Sequence, residues 1–130
     1  MAQELVETYS DGRIKLYVTH VALQLRRAKP DLFAQGEYLP LDAGEHAVAF
    51  SRALGTERVL CVVPRFTRNL ARDPQAFALG RVWSEMVAQG VEPGRYRNAF
   101  TDEVWTVNGD LPLAQAFADF PVGLFVREPM

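Results

Sequence analysis

The apolar positions of this chain change period once. Between Gly12 and Ala28 they recur at helical spacing: Ile14, Tyr17, Val18, Val21, Leu25 and Ala28 share one face of a segment without internal proline or glycine, and that pattern predicts an amphipathic helix. Ser10 and Asp11 are candidate N-caps, while Arg26, Arg27 and Lys29 place cations at the carboxyl end of the helix dipole and Pro30 ends the helix. Leu16 and Leu23 stand one heptad apart on the opposite side of the wheel. The helix thus has a wide apolar face and a second, narrow one, which calls for two packing partners.

From Gln35 onward the period shortens. Glu37 to Leu41, Glu45 to Arg52 and Glu57 to Val63 are short runs separated by Asp42-Ala43-Gly44 and Leu54-Gly55-Thr56, which is hairpin spacing and predicts three strands. Val59 to Val63 is apolar on both faces and belongs in the centre of a sheet, with Pro64 closing it. Arg65 to Gly80 reads as a loop with one helical turn, because Asp73-Pro74 interrupts any longer helix. Arg81 to Ala88, Tyr96 to Phe100 and Glu103 to Val107 are further strand candidates, divided by Gly90 to Gly94 and Thr101-Asp102, and Asn108-Gly109 is a turn dipeptide. Pro112 to Phe120 carries Leu113, Ala116, Phe117 and Phe120 at helical spacing, with Pro112 acceptable in a first turn, and Val122 to Val126 is a last strand. The expected fold is mainly β: an N-terminal helix, then an antiparallel β-sandwich with a short late helix. There is no internal repeat, low-complexity tract or linker, so the chain reads as one compact unit.

Composition narrows the function classes. At 130 residues and 48% hydrophobic, the chain buries roughly two-thirds of its unfolded surface and folds without staples. Fourteen basic against sixteen acidic residues leave no electrostatic footprint for nucleic acid or an anionic membrane. The single cysteine, Cys61, lies inside an apolar run, which excludes an internal disulfide or thiolate metal site and fits a reducing cytoplasm. The N-terminal residues carry neither a basic region nor an apolar core, and no stretch reaches ~18 uninterrupted apolar residues, so neither a signal peptide nor a membrane span is expected.

Candidate chemistry is sparse. His20 and His46 have no Asp, Glu or Cys at a metal-ligand spacing, so each reads as an ordinary surface or interface histidine and no metal or other cofactor is expected. Nucleophile elbows and phosphate loops are missing, since Gly90 to Gly94 lacks the lysine and the strand-to-helix context of the latter. Glu37, Glu45, Asp102, Glu103 and Asp119 are carboxylates of the kind that pair in glycoside chemistry, although capping or solvation explains each one alone. Tyr38, Trp83, Tyr96, Phe100 and Trp105 offer rings for stacking on sugars; core filling is the default for Phe100 and, less strongly, for the two tryptophans, which neighbour polar residues. Asp11, Arg13 and Lys15 cluster at the start of the helix, where capping and solvent exposure account for them.

Taken together, SDGRIKLYVTHVALQLRRAKPDLFAQGEYLPL, HAVAFSR, VLCVVPRFTRNL, YRNAFTDE and LPLAQAFADFPVGLF resemble the carboxyl-terminal end of maltooligosyltrehalose synthase, in the α-amylase superfamily. The most specific parts are Asp11 to Leu41, Val63-Pro64-Arg65 and the closing Leu-Pro-Leu to Asp-Phe-Pro-Val-Gly-Leu, and a departure falls at Met86, where the resemblance leads one to expect threonine three residues after Trp83. Enzymes of this family isomerise the reducing-end α-1,4 linkage of a maltooligosaccharide to α,α-1,1, using carboxylates on a (β/α)8 barrel. The resemblance implies that residues 1–30 correspond to the last barrel helix and residues 31–130 to the C-terminal β-domain. No catalytic carboxylate carries over, so the chain is expected to be scaffold, inactive without the barrel as its partner. Asp11, Arg13 and Lys15 are then the residues placed nearest a sugar, with maltooligosaccharide contacted at most indirectly. The alternative is a free-standing carbohydrate-binding module using Trp83 or Trp105. A fragment that exposed its second helix face would also be expected to self-associate through Gly12 to Ala28.

Overall fold

The computed structural model describes residues 13–64, 83, 86–118, 120 and 122–128. Helix α1 spans Arg13–Ala28 and a short helix, α2, Pro30–Gln35. Strands β1 (Glu37–Leu41), β2 (Ala47–Leu54) and β3 (Glu57–Pro64) follow, then β4 (Val87–Asn98), β5 (Val104–Pro112), the one-turn helix α3 (Leu113–Ala116) and β6 (Gly123–Arg127). The fold is mainly β, with the leading helix and the short late helix where the periodicity puts them. The expected caps Ser10 and Asp11 and the expected loop at 65–80 lie outside the described residues.

All six strands form one antiparallel sheet in the order β1-β2-β3-β6-β4-β5. It curls, so that β1 at one edge comes round to β4 through a bridge between Asp42 and Gln89, whose amide donates to the Asp42 carbonyl at 2.7 Å. The two sides of the sheet then become an inside and an outside, each with its own apolar filling.

Inside the curl lie Ala49, Leu60, Val62, Tyr96, Leu111 and Phe125, closed off by Trp83, Leu113 and Phe117. Outside, α1 lays Ile14 and Leu25, with Tyr17, Val18 and Val21 beside them, over Val59, Phe100, Leu124 and Val126. Alternate residues of β3 serve the two clusters, with Val59 pointing to the helix and Leu60 and Val62 into the curl. Period-two geometry requires a strand in that position to be apolar on both faces, as the run Val59 to Val63 is. Burying several side chains of this size stabilises the fold by roughly 1.5–3 kcal/mol each, which is why the helix stays on the sheet.

The second half differs in detail from the pattern. Gly90 to Gly94 does not divide two strands: β4 runs through it, and the register against β5 shifts between Gln89 and Val91 and again between Val91 and Gly94. Gly90 and Gly109 have φ of 83° and 91°, so Asn108-Gly109 spends its left-handed propensity on an irregularity inside β5 rather than on a turn. The turn falls earlier, at 99–103. There the buried Asn98 accepts hydrogen bonds on Oδ1 from the amides of Phe100 (2.8 Å) and Thr101 (3.3 Å), and Asp102 takes a φ of 67°, as short polar side chains do. The strand expected over Arg81 to Ala88 begins only at Val87; Trp83 sits in a helical turn, where its carbonyl accepts from Met86. A fully buried indole wedged into the curl is incompatible with an edge extension of β4.

Candidate functional site

The side of α1 turned away from the sheet is the least satisfied surface of the described residues. Leu16 and Leu23, opposite the packed face, are 72% and 53% exposed. One flank of this ridge borders a groove of about 480 Å³ lined by Tyr17, His20, Gln24, Arg97 and Asp102 among others. At the carboxyl end, where α1 meets α2, a second groove of about 500 Å³ is formed by Leu23, Arg26, Arg27, Pro30, Phe33 and Ala34.

Local chemistry fixes this arrangement. Pro30 stands in the first turn of α2, and Arg52 of β2 donates from Nη2 to the carbonyls of Phe33 and Gly36, both at 2.9 Å. Those carbonyls close α2 and have no helical donor of their own, so the guanidinium holds α2 against the sheet. Lys29 pairs with Glu57 at 2.9 Å, tying the α1–α2 corner to the β2–β3 turn. At the other end of α1, Tyr17 donates to the Phe100 carbonyl at 2.6 Å. Burial, and secondarily the Asp102 carboxylate, push the Tyr17 phenol above its ordinary pKa; burial likewise raises the Cys61 thiol.

Of the expected site residues, Asp11 lies outside the described residues, and Arg13 and Lys15 are exposed on the first turn of α1. No acidic residue stands in that turn, so the two cations oppose the helix dipole rather than complement it. Glu37, Glu45, Asp102 and Glu103 are exposed on the start of β1, the β1–β2 loop and the β4–β5 turn, and Asp119 lies outside the described residues. Among the described residues no group of three or more His, Cys, Asp or Glu is placed to hold a metal ion, and no helix is long and apolar enough to cross a membrane.

The aromatic candidates separate clearly. Trp83 is fully buried against Phe117, with ring centroids 4.6 Å apart. Tyr96 and Phe100 are core residues, and Trp105 is half-buried against Phe125. Tyr38 alone of the five is exposed, tilted over Phe50 at 5.1 Å. An indole with no accessible face offers no platform to a sugar, so Trp83 is not a binding residue. In the sequence Arg26 and Arg27 read only as partners of the helix dipole, and the groove they form with Phe33 is seen only in the fold. The available signal was the charge of the helix: RIKLYVTHVALQLRRA has four cations and no carboxylate.

No family model matches the chain. Among curated proteins, an alignment of 118 positions covering 88% of this chain is 33% identical to a protein of Mycobacterium tuberculosis strain CDC 1551 / Oshkosh and equally to its counterpart in strain ATCC 25618 / H37Rv. Both carry the provisional name maltooligosyl trehalose synthase. The chain is related to a segment of those proteins. That segment is 14% of their length.

Proposed function

We propose that this chain is the C-terminal β-domain of a maltooligosyltrehalose synthase, a scaffold on which the catalytic barrel of that enzyme rests. The observation that carries the reading is the 33% identity across 118 residues, which runs through nearly the whole fold rather than through one motif. One structural feature supports it: the apolar ridge of α1, with Leu16 and Leu23 exposed, is the kind of surface a barrel neighbour covers. In this reading the reaction, conversion of a reducing-end α-1,4 linkage to α,α-1,1 in the cytoplasm, belongs to carboxylates on the barrel. Arg13 and Lys15, with Asp11, stand closest to the sugar, contacting it at most through neighbouring groups.

A chimera tests the assignment. The matched segment of the mycobacterial relative is exchanged for this chain and incubated with maltopentaose, with loss of reducing ends as the readout, since an α,α-1,1 linkage has none. The chimera is expected to consume reducing ends and the 130-residue chain alone to leave them unchanged. A folded but inactive chimera, or turnover by the chain alone, overturns the proposal.

A further inference from the structure

The charge of α1 says what kind of surface covers it. The chain as a whole has 14 basic and 16 acidic residues. The helix accounts for four of the basic residues and none of the acidic ones, which leaves ten against sixteen elsewhere. The cations are spread over the exposed side: Lys15 near the first turn beside Leu16, and Arg26 and Arg27 around Leu23. Pairing with a second copy through this helix would set Lys15, Arg26 and Arg27 of one chain against the same three of the other, and like charges at that range repel. Nucleic acid fits no better, because the rest of the molecule carries the opposite sign.

We propose that the exposed side of α1 and its groove with α2 receive an acidic surface of the enzyme's catalytic part, with carboxylates opposite Arg26 and Arg27 and one large apolar side chain seated between Leu23 and Phe33. The proposal rests on the domain assignment above and goes beyond it in naming the chemistry of the contact. Apolar floor and cationic rim are the two halves of a specific interface: the desolvated centre supplies affinity, and the charges set orientation and exclude wrong partners. The groove, at about 500 Å³, has room for an aromatic or branched aliphatic side chain. Arginine, whose planar fork pairs bidentately with carboxylates, suits the rim better than lysine does. The shape of the site is held from below by Arg52, which fixes α2 through the Phe33 and Gly36 carbonyls.

The test compares one pair of substitutions in two settings. Leu23→Ser and the double variant Arg26→Glu/Arg27→Glu are made in the isolated 130-residue chain and in the chimera with the mycobacterial relative. Each is expected to lower the thermal midpoint of the isolated chain modestly, the double variant by losing the cations at the carboxyl end of the helix dipole, and to lower that of the chimera by several degrees more. The charge-reversal effect is expected to shrink as salt rises. Equal shifts in both settings show that α1 covers nothing and overturn the inference. A chimera that responds to Leu23→Ser but not to charge reversal overturns the acidic partner and leaves the domain assignment standing, whereas a chimera that does not fold overturns both. Sedimentation of the isolated chain as a dimer that Leu23→Ser dissociates overturns the inference in favour of a second copy.

Discussion

The Tyr17 hydroxyl donates to the Phe100 carbonyl oxygen at 2.6 Å, across 83 positions of sequence. The same ring lies 6.0 Å from both Phe100 and Phe120, so one side chain anchors α1 to the β4–β5 turn by shape and by hydrogen bond. Tyr17→Phe keeps the shape and removes the bond. The expected loss is about 1 kcal/mol, the usual net worth of such a bond when an acceptor is left half-buried, read as a lower urea midpoint at unchanged slope.

Alkaline pH probes the same anchor. Burial raises the phenols of Tyr17 and Tyr96 above the ordinary 10.0, and Tyr96 donates to the Glu92 carbonyl at 2.7 Å. A group whose folded pKa exceeds its unfolded value holds its proton more tightly when folded. Its contribution is complete below the unfolded pKa and is lost as pH rises through the folded one. Unfolding free energy is therefore expected to be insensitive to these tyrosines at neutral pH and to fall above about pH 10. Urea titrations on either side of that value check it, and Tyr17→Phe is expected to show a shallower fall.

Arg52 offers a sharper contrast. Its Nη2 serves two carbonyls at the end of α2, so Arg52→Ala strands both and is expected to cost about 2 kcal/mol. Arg52→Lys, a point donor on a flexible stem, should recover only part of that. An alanine variant as stable as the parent would show that water replaces the guanidinium there at no cost. By comparison, Glu57→Gln at the exposed pair with Lys29 is expected to change stability by less than about 0.5 kcal/mol.

Trp83→Ala is expected to cost roughly 3–5 kcal/mol, since the indole is fully buried and packed on Phe117. Trp105→Ala, at a half-buried position against Phe125, should cost distinctly less. Emission of the intact protein should carry a blue-shifted component that Trp83→Phe removes and that maltooligosaccharide does not perturb. A sugar-dependent change tracking Trp83 would contradict its burial.

The sequence was most legible where one period ruled. The stripe from Ile14 to Leu25 predicted both the helix and the face it buries, and the run Val59 to Val63 predicted a strand with two apolar sides, now seen between β2 and β6. It was least legible around Gly90 to Gly94 and Asn108-Gly109. Glycine reports that unusual backbone is permitted, not whether the chain turns or merely slips register, and here two facing strands use it for the latter. Leu16 and Leu23 on the wrong side of the wheel were visible from spacing alone. The groove beside Leu23 was not, because Phe33 and Ala34 reach it only through the corner at Pro30, a tertiary placement that no local pattern encodes.

The strand order also governs when the fold can exist. Strand β6 is the last described strand in sequence and the one that joins β3 to β4 in space. A ribosome therefore releases a three-stranded meander and a separate long hairpin before it releases the piece that unites them. Until Gly123–Arg127 emerges, both halves present bare strand edges and half of each apolar cluster. Nascent chains arrested before that point are expected to be protease-sensitive throughout, and the native sheet to appear in a single step once β6 slides between its neighbours.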